Sequence, residues 1–113
     1  MKFFIALVLS LAVFGFASAQ GTPSGYTPIQ WNPHNTTLYN LESYGSEMAQ
    51  LDAISQGGSE WVYFQVDSVG VQQVANGNNY QFSVEIMPGV SGVKTLVFVV
   101  HDSPLSLLSW QIV

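Results

Sequence analysis

His34 and His101 are the only histidines of this 113-residue chain, and Asp102 follows the second. Neither lies in a His-x-x-x-His pattern, and no Asp-rich loop accompanies them, so a metal site is not expected. There is no cysteine, which removes thiolate zinc sites, cysteine nucleophiles and disulfides together. Serine is abundant, yet no Gly-x-Ser-x-Gly elbow occurs. Tyr44, Tyr63, Tyr80, Trp61 and Trp110 read as core or edge aromatics rather than a ligand cage. His101 falls at a strand end and reads as a surface or edge residue. Catalysis is therefore not expected, and neither is a cofactor. The spacing that does carry information is Gln73-Val74-Ala75-Asn76-Gly77. It joins two strand-like runs and offers a turn that a partner could read by shape.

The elements around that turn are legible from periodicity. Downstream, Tyr80, Phe82, Val84 and Ile86 alternate with Gln81, Ser83 and Glu85, a period of two that marks a half-buried strand from Asn79 to Met87. Upstream, Trp61 to Val74 is long for one strand. Val62, Phe64 and Val66 share one parity and Val69 and Val71 the other, which a bulge near Ser68 to Gly70 would reconcile. Lys94 to His101 contains an apolar run, Leu96 to Val100, that reads as central and buried on both faces. Pro88-Gly89 and Ser91-Gly92 precede it, and Asp102-Ser103-Pro104-Leu105 forms the next turn. Leu107 to Val113 is the last strand, with Leu108, Trp110 and Ile112 on one face. The expected core is Phe64, Tyr80, Phe82, Val84, Ile86, Leu96, Phe98 and Trp110.

Before the strands lies one helix. Leu38, Leu41, Gly45 and Met48 fall at helical spacing, with Tyr44 and Leu51 beside them, while Glu42, Ser46, Glu47 and Gln50 face elsewhere. The expected span is Thr37 to Ile54, capped by Asn35 or Thr37 and ended by Gly57-Gly58. Gly45 costs about 1 kcal/mol relative to Ala in a helix, which close approach of a sheet would offset. Asn35-Thr36-Thr37 is also a glycosylation sequon.

Residues 1–19 read as a secretory signal peptide. Lys2 supplies the charge, Phe3 to Phe16 the apolar core, and Ala17-Ser18-Ala19 the cleavage site. Residues 20–113 then form one secreted, extracellular domain beginning at Gln20, which could cyclise. All seven acids and only one base, Lys94, lie in that part. Neutralising phosphates is beyond such a chain, so nucleic acid and anionic membranes are excluded as partners. With no disulfide, packing alone must hold it.

One helix followed by a strand meander, with this turn, resembles the cystatins. Their first binding hairpin carries Gln-x-Val-x-Gly, often followed by a polar residue, Asn and Tyr; Gln73, Gly77, Asn79 and Tyr80 match, and Ala75 replaces Val. The resemblance implies an α+β, cystatin-like fold, one long helix packed across a four- or five-stranded antiparallel sheet. It also implies reversible inhibition of papain-like cysteine proteases by a three-part wedge. Gly25 would be the N-terminal hinge, Gln73 to Gly77 the first hairpin, and Pro104-Leu105 the second. Leu105 stands where the family carries Trp, and the disulfides of secreted cystatins are missing. The expected state is a monomer, with a domain-swapped dimer as the alternative. The competing reading is a cystatin-fold binding or structural protein that has lost inhibition, which Ala75 and Leu105 favour.

Overall fold

The computed structural model describes residues 25–90 and 92–113. The signal-peptide segment 1–19 and the Gln20 start lie outside the described residues. The elements are β1 (Thr27–Ile29), α1 (Thr36–Ser55), β2 (Trp61–Val74), β3 (Gly77–Pro88), β4 (Lys94–Asp102) and β5 (Leu105–Ile112). The five strands form one antiparallel sheet in chain order, β1-β2-β3-β4-β5, and α1 crosses one face. The architecture is thus α+β, one helix on a five-stranded antiparallel sheet, with Thr27–Ile29 supplying the edge strand.

The helix starts one residue before the expected Thr37 because Asn35 caps it, its Oδ1 accepting from the Leu38 amide at 3.1 Å. It ends in a Schellman turn. Gly57 takes a left-handed φ of 93°, the Gly58 amide donates to Ala53 O at 2.9 Å, and the Gly57 amide donates to Ile54 O at 3.0 Å. The buried stripe is Leu38, Leu41, Glu42, Gly45 and Ala49. Met48 and Leu51 are exposed, contrary to the sequence reading. Gly45 and Ala49 present almost no side chain, so the helix settles close to Phe98 and Val100 and buries Ala49 while Met48 stays exposed.

Across the sheet, Phe82, Val84, Ile86, Leu96, Phe98 and Val100 are fully buried. Four of them pair in register, Phe82 against Phe98 and Val84 against Leu96, while Val100 lies opposite Tyr80 and Ile86 opposite Lys94. Phe82 and Phe98 stack at 5.2 Å, and Trp31 meets Phe82 edge-on at 6.3 Å. These rings and methyls form the centre of a single core.

The long strand departs from the expected pattern. β2 carries two register shifts, Tyr63/Gln65 and Val66/Ser68, rather than one bulge near Ser68 to Gly70. Each adds a residue and reverses the alternation. Trp61 and Tyr63 therefore share the helix-side face with Val66, Val69 and Val71, opposite Pro88, Ile86, Val84, Phe82 and Tyr80 in turn. Phe64 is the extra residue of the first shift; it is 47% exposed and is not core. In β5 a further shift between Val99 and Val100 leaves Leu108 exposed and sets Leu107 against Val100. Leu107 and Trp110 are partly buried against the core. Val97 and Val99 are only half-buried, so β4 is covered on one face and not on both.

Candidate functional site

Antiparallel pairing in chain order brings alternate turns to the same end of a sheet. The β2–β3 turn and the β4–β5 turn therefore share one end, two strands apart. The first is a two-residue loop, Ala75-Asn76, closed by Val74 opposite Gly77, with Gln73 opposite Asn78. The turn is one residue earlier than Asn76-Gly77 suggests. Gly77 opens β3 with φ 131°, a backbone conformation that disfavours a side chain. The second turn is Ser103-Pro104, joined by a cis peptide and closed by Asp102 opposite Leu105.

The two turns are tied by polar contacts. The Asn78 amide donates to Asp102 Oδ1 at 2.9 Å. His101 Nε2 lies 2.9 Å from Ser103 O, and Nδ1 lies 2.8 Å from Asn79 Oδ1. A carbonyl can only accept, so Nε2 carries a hydrogen. The direction of the Nδ1 contact with Asn79 depends on the tautomer of the ring and the orientation of the Asn79 amide. A Cβ on Gly77 would come within 2.5 Å of Asp102 Oδ1, so the first turn sits on the second with no room for a side chain.

The N-terminal segment joins them. β1 pairs Thr27 with Val71 and Ile29 with Val69, so the chain before Thr27 runs toward the same end. Gly25 has φ 87°, and a Cβ there would stand 3.4 Å from Gln72 Nε2. Gly25, Gln73, Ala75, Asn76, Pro104 and Leu105 are exposed, while Val74 and Gly77 are half-buried. All eight residues singled out from the sequence are thus brought to one end. They are uncharged, and none is an acid, base or nucleophile at neutral pH. Such a surface can act by shape and apolar contact. The sequence did not reveal the tie: His101, Asp102 and Asn78 are joined only by strand register. Asn35, the sequon residue, is exposed at the helix N-terminus.

Among the described residues no cluster of three metal-ligating side chains occurs, and no helix is long and apolar enough to cross a membrane. No protein-family model matches the chain, no curated protein matches it, and no solved structure matches it.

Proposed function

We propose that this chain is a secreted, reversible inhibitor of papain-like cysteine proteases that acts as a three-part wedge. The observation that supports this is the juxtaposition of Gly25, the Gln73–Gly77 hairpin and the Pro104-Leu105 turn, the two turns joined by the Asn78–Asp102 bond and Gly25 placed by the β1–β2 pairing. In this reading the protruding turns fill the protease cleft beside its catalytic cysteine, and no bond is made or broken. Preformed turns lower the ordering cost of binding, which is where a small contact area gains affinity. Asp102 sits at the base of the wedge, where its Oδ1 accepts the Asn78 amide.

Ala75 and Leu105 give the wedge less apolar area than the motif it resembles. They are what favours the second reading, a cystatin-fold binding protein without inhibition. Titration of the purified protein against papain decides between them. The inhibitor reading expects reversible, competitive loss of activity with the chain left uncut. Full protease activity at tens of micromolar protein, which corresponds to a binding free energy weaker than about −6 kcal/mol, would support the second.

A further inference from the structure

A groove of about 710 Å³ runs between α1 and the first half of β2, away from the two turns and Gly25. It exists because β1 is short. It pairs only with Val69 to Val71 and leaves the preceding part of β2 without a neighbour on that side. The volume is within the usual range for a small-molecule site. Aromatic rings form part of its lining: Trp31 from the β1–α1 connection, Tyr39 from α1, and Tyr63 and Phe64 from β2.

Glu42 lines this groove from the helix. Its side chain is 5% exposed, and Oε2 is buried without a hydrogen-bond partner. The Tyr63 hydroxyl hydrogen-bonds the same carboxyl. One tyrosine does not satisfy a carboxylate, which has about four lone-pair sites. Nor can the protein supply a counter-ion. Lys94 is the only Lys or Arg among the described residues, and it does not line the groove. Glu47, at the groove's rim, adds a second negative charge.

We propose that this groove binds a small organic ammonium ion with an aromatic or alkyl body. The ammonium group takes the unpaired acceptor of Glu42, and the rings of Trp31, Tyr39 and Tyr63 hold the body and the charge. Charge-assisted hydrogen bonding and cation–π attraction act together there, and burial shields the Glu42 carboxyl from water. The inference does not rest on the inhibitor reading, since the groove and the wedge use different residues.

The test is calorimetric titration of the purified protein with phenethylamine and with its uncharged counterpart, 2-phenylethanol. Saturable one-to-one binding of the amine, with the alcohol much weaker, is expected. The Trp31 indole N–H resonance should shift more than those of Trp61 and Trp110. Glu42→Gln keeps the shape and removes the charge. It should weaken the amine by about ten- to a hundredfold, the loss expected for one charged hydrogen bond, and leave the alcohol unchanged. Glu47→Gln should have the smaller effect. Equal affinity for amine and alcohol, an unmoved Trp31 signal, or amine binding retained in Glu42→Gln would each overturn the proposal. The amine–alcohol comparison needs no variant, so a folding defect could not mask the answer.

Discussion

The Trp110 indole donates from Nε1 to Asp52 Oδ2 at 2.7 Å, across 58 residues of sequence. This bond ties the last strand to the last turn of the helix, beside the Trp61 ring at 6.3 Å from Trp110. A donor to a charged acceptor contributes about 1.5–3 kcal/mol. Trp110→Phe, which keeps an aromatic ring and loses the donor, should cost at least that much in urea unfolding. Asp52→Asn retains an acceptor oxygen and should cost less. Equal losses from the two would show that ring volume, not the bond, matters at this position.

Phe82→Ala should be far more damaging. Phe82 is fully buried between Phe98 and Trp31, and removing its ring leaves a cavity no neighbour can fill. The expected cost is about 3–5 kcal/mol, a large share of the stability of a small domain. With no cysteine in the chain, no cross-link limits the loss. Thermal and denaturant melts check this, and a cost below about 1 kcal/mol would contradict full burial.

Gly45→Ala inverts the usual rule. In an exposed helix the change stabilises by about 1 kcal/mol. Here the new Cβ would overlap the Phe98 ring and stand 2.5 Å from Val100 Cγ2. The helix would have to lift from the sheet, an overpacking cost of about 1–3 kcal/mol. A variant more stable than wild type would mean that the helix is free to shift outward.

Glu42 links stability to pH. Burial raises its carboxyl above the ordinary 4.5, and the Tyr63 hydrogen bond offsets part of that rise. The folded protein thus holds the proton more tightly than the unfolded chain does. The resulting stabilisation is complete below the ordinary value and is lost as pH rises through the folded one. Glu42→Gln carries no such proton. The stability of the variant minus that of wild type should therefore grow between pH 3.5 and pH 7, on the order of the window bounded by ordinary Glu titration. Parallel denaturant melts at the two pH values read the slope, and a constant difference would place Glu42 in water.

On the functional side, Leu105→Trp should tighten papain binding. An indole at an interface commonly contributes about 2 kcal/mol, or roughly thirtyfold in Kd. Gly77→Val should weaken it, because φ 131° and the contact with Asp102 both resist a side chain. Inhibition constants for both variants beside wild type test the wedge. No inhibition from wild type and none gained by Leu105→Trp would leave the shape without that use.

Much of the fold was legible because local signals agreed. The clean alternation of Tyr80 to Ile86 fixed β3's inner face, and Asn35 and Gly57 marked the helix ends. What was hidden depends on contacts distant in sequence. Phe64 looks like core, and only pairing with β3 reveals it as an extra residue outside the alternation. Met48 and Ala49 both follow Gly45 at helical spacing, and the closeness of the sheet selects Ala49. Glu42 reads as a solvated acid until the shifted register brings Tyr63 to it. The two turns and the Gly25 segment are legible locally, but nothing local announces that Asp102 receives the Asn78 amide.

The two extra residues of β2 have a geometric consequence. β2 spends 14 residues along a path that β3 covers in 12. Adjacent ribbons of unequal contour length, fastened at both ends, must bow, as a bonded strip bends when one layer lengthens. Deleting Phe64 or Asp67 alone would correct half of the mismatch, since each is the extra residue of its shift and every remaining residue keeps its partner and its face. Deleting both would restore the alternation but straighten the ribbon, and a straight ribbon has no hollow in which to seat a helix.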